Sequence, residues 1–223
     1  MKERVVSMLL QYKLITIITL TLLTFHSHAA TNKVGNGGNI IFCQNNPSQS
    51  QLLDFYEHLE PSDLNKEQSN LEADAFELAK QNIEKLSSIA PRLSRQYLNR
   101  LEQIEKEILW VENKLLQIVN DSFHPFIPKY ESGCEVVQTA LRRANAHLYE
   151  QKFIIRKDIW DKIPQIHRAG LLTHEIIYEH FSKLGETNSL KARQLNALLF
   201  TDNEKLHKRF WPMIQEFRLP IYP

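Results

Sequence analysis

The chain of 223 residues has few cysteines, few glycines and no excess of charge of either sign. It holds two Cys, six Gly and nine Pro, and its 27 basic and 26 acidic residues leave a formal net charge of +1. Because 43% of the residues are apolar, the composition excludes a disulfide-rich scaffold, a collagen-like repeat and a disordered chain. The near-neutral charge gives no electrostatic case for a nucleic acid as a partner. We expect a globular protein with its own core.

A long uncharged run occurs at the amino terminus. Basic residues precede the apolar residues 14–25, and the small residues Ser27 and Ala29 follow them. This order is typical of a secretory signal peptide over residues 1–29, and the run is shorter than the roughly 20 residues that span a bilayer. An uncleaved membrane anchor is the alternative. We therefore predict that residues 30–223 form a single mature domain, without membrane attachment, in the periplasm or outside a bacterial cell.

Both cysteines, Cys43 and Cys134, lie in the part of the chain that would be exported. An oxidising compartment allows them to pair, and two cysteines permit one intramolecular bridge. In the loop-entropy picture such a bridge stabilises the fold by at most roughly 4 to 5 kcal/mol. A redox-active pair is the alternative, but the chain has no Cys-x-x-Cys motif.

Residues 67–119 carry the clearest helical periodicity. Apolar side chains recur every three or four positions on both sides of Pro91, which predicts a long antiparallel helical hairpin broken near that proline. A kinked continuous helix is the alternative. The outer face of the hairpin is rich in charged residues, typical of a solvated face. It is also where we expect an unknown protein or envelope component to bind.

The rest of the chain combines short strands with further helices. A glycine-rich turn over residues 35–38 feeds a strand at residues 40–43, and two more strands are predicted between residues 135 and 156. Three helices follow at residues 164–183, 189–200 and 203–217, the first of them ended by Gly185. The predicted class is α+β, predominantly helical, with C-terminal helices.

The stretch best suited to chemistry begins at His174-Glu175 and reaches Tyr178. A zinc-protease helix has two His four residues apart, with a Glu after the first as general base. Here Tyr178 occupies the position of the second His, and His180 points about 120° away from His174. The sequence therefore indicates either a structural His-Glu-x-x-Tyr cluster or a degenerate zinc site with His174 as a ligand.

Several segments around this motif carry a resemblance. Residues 169–178, 184–189 and 193–195, together with the Gly-Asn-Gly-Gly turn from Gly35 and the Cys-Glu-x-x-Gln segment from Cys134, resemble segments of a group of uncharacterised exported bacterial proteins. The order of strand, His-Glu helix and glycine turn also resembles the core of zinc proteases, without the second His. The first resemblance implies export and no particular activity.

Two hypotheses follow. In the first, the protein is a non-enzymatic envelope or extracellular binding or structural protein without a cofactor. The His174, Glu175 and Tyr178 cluster is then structural, with Ser189 and Arg193 anchoring the next helix.

In the second, the protein is a metal-dependent hydrolase of zinc-protease type. His174 would be a ligand or general base, Glu175 the general base and Tyr178 a ligand or oxyanion donor. Arg193 would clamp a substrate carboxylate, and Glu204 or His207 would be the third ligand. This hypothesis requires His174 and Glu175 to face a solvent-reachable cleft.

Overall fold

A computed structural model of the chain describes residues 37–60, 62–64, 73–116, 133–143, 147 and 149–221. The predicted signal peptide and the first residues of the glycine-rich turn lie outside the described residues. Within them the chain forms seven α-helices and two three-stranded sheets. The predicted α+β class, predominantly helical with C-terminal helices, is confirmed.

The elements of the described ranges come in runs of short strands and runs of helices. The helices are α1 Leu53–His58, α2 Ala75–Glu84, α3 Pro91–Ile104, α4 Lys157–Trp160, α5 Gln165–Lys183, α6 Leu190–Leu199 and α7 Asn203–Phe217. The strands are β1 Asn39–Cys43, β2 Gln51–Leu52, β3 Ile108–Val111, β4 Cys134–Gln138, β5 Ala140–Arg142 and β6 Phe153–Arg156. Among these helices, none is both long enough and apolar enough to cross a membrane.

The first sheet carries the predicted disulfide. Its strand order is β2-β1-β4, and both neighbours of β1 run antiparallel to it. This register places Cys43 directly opposite Cys134, and the two sulfur atoms are bonded. The predicted bridge is thus confirmed, and it ties the first strand to a strand that lies 91 residues further along the chain.

The second sheet corrects the predicted extent of the helical hairpin. Its order is β3-β6-β5, with β3 parallel to β6, so Ile108–Val111 is a strand and the prediction of helix through residue 119 is wrong there. The segment is rich in β-branched and aromatic residues, which favour a pleated, half-buried surface. The segment therefore forms a strand that pairs with Phe153–Arg156, although its apolar residues have helical spacing.

A shorter helical hairpin is present in α2 and α3. Pro91 opens α3, where a missing backbone N–H does no harm, so the proline begins a helix instead of kinking one. Both helices pack against α5, and their facing side chains, including Ile83 and Tyr97, are buried. The hairpin is therefore part of the core and does not project from it as an arm, because its apolar stripe is covered by α5.

Helix α5 runs through the middle of this core. Almost every residue between Ile166 and Phe181 is buried, in keeping with an apolar arc that extends around most of the helix. Gly185 ends it as predicted, with a φ of +100° and a hydrogen bond from the Glu186 N–H to the Phe181 carbonyl at 3.0 Å. Side chains of α5 can therefore reach α1, α2, α3 and α6.

Candidate functional site

His174 lies in the buried face of α5 and pairs with an aspartate of α1. Its Nδ1 is 2.8 Å from Asp54 Oδ2, and each of the two side chains is only 1% exposed. Asp54 sits in the first turn of α1, a six-residue helix whose apolar neighbours Leu53 and Phe55 are buried. Burial of these neighbours therefore carries the carboxylate into the core, where it needs a partner.

Asn196 of α6 completes the pair. Its Nδ2 donates to Asp54 Oδ2 at 2.7 Å and to the Gly170 carbonyl at 2.9 Å, while its Oδ1 accepts from the Thr173 hydroxyl. The network joins one side chain from α1, two from α5 and one from α6. Such a network fixes the relative positions of three helices, because moving one helix would leave buried polar atoms without hydrogen-bond partners and lower the free energy of unfolding.

The two charges of the pair stabilise each other. Burial disfavours the imidazolium, but the charge and the hydrogen bond of Asp54 outweigh that effect and raise the pKa of His174. Burial likewise opposes ionisation of Asp54, yet His174, Asn196 and Arg193 together lower its pKa. Each partner therefore favours the charged form of the other, the carboxylate of Asp54 and the imidazolium of His174.

Glu175 points to a different part of the fold. Its side chain is fully buried, and its Oε1 accepts the Gly38 N–H at 2.7 Å. A side chain at either glycine of this turn would clash: a Cβ on Gly37 would lie 1.9 Å from the Ala140 carbonyl oxygen, and one on Gly38 would lie 2.0 Å from Leu171 Cδ1. Burial raises the pKa of Glu175, although His174 and the Gly38 N–H oppose this. Glu175 thus connects α5 to the amino-terminal turn.

Arg193 is held by an acid of α1. Its Nη1 donates to both carboxylate oxygens of Glu57 at 2.8 Å, and the side chains are 2% and 5% exposed. The predicted substrate clamp is therefore engaged within the fold. Ser189, which precedes α6 as its N-terminal cap residue, accepts the Arg193 N–H at its carbonyl, 2.8 Å away, so both residues take part in placing α6.

Tyr178 and His180 complete the motif. Tyr178 is 4% exposed, and its ring lies 6.2 Å from the imidazole of His174, one turn away on the same side of α5. His180 points elsewhere, as the helical spacing predicts, and its Nδ1 is 3.0 Å from the Tyr97 hydroxyl of α3. The side chains of this segment therefore contact three different neighbours of α5, which are α1, the glycine turn before β1, and α3.

The two predicted third ligands, Glu204 and His207, lie on α7. Both are exposed, and His207 Nε2 is 2.8 Å from the Ser88 hydroxyl. Within the described part of the chain, no three His, Cys, Asp or Glu side chains are placed to hold a metal ion. Three buried atoms of the cluster have no hydrogen-bond partner among the described residues: Asp54 Oδ1, His174 Nε2 and Glu175 Oε2.

Sequence reasoning missed the partners of the motif. His174 pairs with Asp54, which also binds Asn196, and Arg193 pairs with Glu57. Glu175 accepts the Gly38 N–H. The sequence analysis named none of these four partners as a candidate site residue. A signal for two of them exists: Asp54 and Glu57 are acids one helical turn apart, in a segment whose other residues are mostly apolar or aromatic. Asn196 carries no such signal, because only the tertiary contact between α5 and α6 gives its amide a role.

Neither a protein-family model, nor a curated protein, nor a solved structure matches this chain. Its function is therefore argued from the geometry of its own side chains.

Proposed function

We propose that this protein is exported and acts by binding another molecule, with the His174 cluster holding its fold together. The proposal rests on the buried pair of His174 and Asp54. A general base or metal ligand must reach substrate or solvent, whereas His174 is 1% exposed and one ring nitrogen is already engaged by Asp54. The cluster has the properties of a structural network that joins helices.

The resemblance to exported bacterial proteins supports the same proposal. Its segments are far apart in the chain, but the glycine turn meets Glu175 through Gly38, and the helix that carries Arg193 meets α5 through Asn196. Two of the segments that carry the likeness thus converge on buried residues of α5. A cluster that organises the fold explains such convergence without an enzymatic activity.

Export is supported by the disulfide and by the amino-terminal pattern. The Cys43–Cys134 bridge suits an oxidising compartment, and residues 1–29 have the pattern of a signal peptide. Expression of the full chain in a bacterium, followed by amino-terminal sequencing of the extracytoplasmic protein, tests this part. We expect the mature chain to begin at Ala30. Retention of Met1 in the cytoplasmic fraction would contradict it.

A zinc-protease-like hydrolase is the second candidate. The observation that favours it is the set of partnerless buried atoms on Asp54, His174 and Glu175, since such atoms in native proteins commonly contact a water or an ion. The engaged Arg193 and the burial of Tyr178 weigh against it, because these were to contact substrate.

Metal content separates the two candidates. The protein is purified from an oxidising compartment without chelator and analysed for metals beside His174→Ala and the matched control His147→Ala, which removes an exposed His. We expect no stoichiometric metal in any of the three, with only His174→Ala losing stability. Near-stoichiometric zinc that is lost in His174→Ala and kept in His147→Ala would instead favour the hydrolase candidate.

A further inference from the structure

A cleft on the opposite side of α6 from the buried cluster is unused by the proposed structural network. Its volume is about 870 Å³, within the size range of small-ligand sites, and it lies between the end of α1, α6 and one face of α7. Leu59, Leu198 and Met213 form its apolar lining, and His58 and Gln194 add groups that can hydrogen-bond a polar ligand. The cleft can therefore hold a ligand with both apolar and polar parts.

The charges of the cleft are arranged along α7. Lys205, Lys208 and Arg209 lie together in its amino-terminal half, and Lys205 is bound to Asp63 at 2.6 Å. Lys208 and Arg209 have no ion-pair partner among the described residues. Glu216 lines the same cleft seven to eight positions later, which is roughly 11 Å along the helix axis. Met213 lies between these opposite charges.

Two further acids line the amino-terminal end of the cleft. Asp202 caps α7, because its Oδ1 accepts the Lys205 N–H at 2.7 Å, and Glu204 lies one turn before Lys208. The lining therefore carries as many acids as bases. This balance disfavours a polyanion such as a nucleic acid and favours a ligand that carries both signs of charge.

We propose that this cleft binds a short extended peptide segment with an acidic and a basic side chain on either side of apolar residues. The acid would pair with Lys208 and Arg209, the apolar residues would contact Leu198 and Met213, and the base would pair with Glu216. An extended chain advances about 3.3 Å per residue and its side chains alternate between two faces, so charges four positions apart lie on one face, roughly 13 Å apart, close to the spacing on α7. This inference rests on the proposed binding function and gives it a ligand class.

Calorimetric titration of the mature protein tests the inference. The probes are acetyl-Asp-Leu-Leu-Leu-Lys-amide and its reverse, acetyl-Lys-Leu-Leu-Leu-Asp-amide, which cover both directions of binding. The neutral peptide acetyl-Asn-Leu-Leu-Leu-Gln-amide is the matched control. We expect at least one charged probe to bind with a Kd of about 1 mM or lower, and the neutral peptide to bind at least roughly tenfold more weakly.

Cleft variants locate the binding. Lys208→Ala/Arg209→Ala should weaken it by roughly tenfold and Glu216→Gln by roughly threefold, the scale of partly exposed charge pairs. Arg92→Ala/Arg95→Ala removes the same charge from exposed positions of α3 outside the cleft and should change nothing.

Three outcomes overturn the inference: no binding of either charged probe, binding that the cleft variants leave unchanged, and an oligonucleotide that binds in place of the peptides. None of these depends on His174, so failure here is distinguishable from failure of the proposed function, which the metal analysis decides.

Discussion

Removing the carboxylate of Asp54 should greatly reduce the stability of the protein. Its Oδ2 accepts hydrogen bonds from both His174 and Asn196 in a region where the side chains are about 1% exposed or less. Asp54→Ala leaves an imidazole and an amide in the core without their acceptor. Breaking a buried pair in this way lowers the free energy of unfolding by about 3 to 5 kcal/mol, a large share of the stability of a typical domain.

A double-mutant cycle measures how strongly the pair is coupled. His174→Ala alone leaves the Asp54 carboxylate buried with Asn196 as its remaining side-chain donor, so we expect a loss of similar size. The double variant has neither charge, and its loss should be smaller than the sum of the single losses by about 2 kcal/mol. Urea unfolding followed by circular dichroism at pH 7 gives all four free energies.

The partly exposed pair Asp63–Lys205 serves as the control cycle. Its side chains are 19% and 42% exposed, so the coupling should be below about 1 kcal/mol. Single losses at Asp54 and His174 that add to within about 0.5 kcal/mol would refute the reasoning, because they would show that the two groups do not interact in the folded protein.

The direction of each pKa shift also defines the pH range of this stabilisation. The pKa of His174 is raised, so its contribution is complete below pH 6.5 and is lost as the pH rises through the raised value. The pKa of Asp54 is lowered, so its contribution is present above pH 3.8 and is lost as the pH falls through the lowered value. The coupling should therefore be largest in weakly acidic solution.

Two further predictions concern other parts of the core. Burial lowers the pKa of His167 to about 4, and Nδ1 of its neutral ring accepts the Leu52 N–H. The free energy of unfolding of the protein should therefore decrease as the pH falls from 6.5 towards 4. Between pH 7 and pH 4.5, the free energy of unfolding measured in urea titrations should decrease by about 2.5 kcal/mol less in His167→Asn than in the wild type. Equal decreases in the two proteins would contradict this. Cys43→Ser/Cys134→Ser should lower the free energy of unfolding by at most roughly 4 to 5 kcal/mol, measured against the oxidised wild type, while reductant should leave the variant unchanged.

The C-terminal helices could be predicted because their signals are local. Helix α5 has a wide apolar arc and a glycine just beyond its end, and α7 follows Asp202, whose side chain caps its first turn. Pro212 lies inside α7 without ending it. Local signals of this kind act within a few residues, so the sequence contains them in full.

The strand β3 could not be predicted in the same way. Ile104, Ile108 and Val111 follow a helical spacing, and only the first of them is in a helix. The choice depends on β6, a strand more than 40 residues later that pairs with Ile108–Val111. The local pattern of apolar residues does not show which strand will pair with this segment, and tertiary pairing overrides local conformational preference.

The same distinction between local signals and tertiary contacts applies to the candidate site. The adjacent His174 and Glu175 are visible in the sequence, but the groups they bind lie 120 and 137 residues away in the chain. Because adjacent helical residues point about 100° apart, the two side chains cannot share one neighbour easily. His174 reaches α1 and Glu175 reaches the glycine turn before β1.

The two side chains of the His-Glu motif therefore have separate partners in this protein. In a zinc protease the Glu acts on a water beside the metal that the His binds. Here the carboxylate of Glu175 accepts a hydrogen bond from the Gly38 N–H, and Nδ1 of His174 pairs with the carboxylate of Asp54. Each side chain therefore fixes one amino-terminal segment against α5, and the disulfide fixes β1 against β4. Replacing either side chain should release a different segment, a result that a shared catalytic role would not produce.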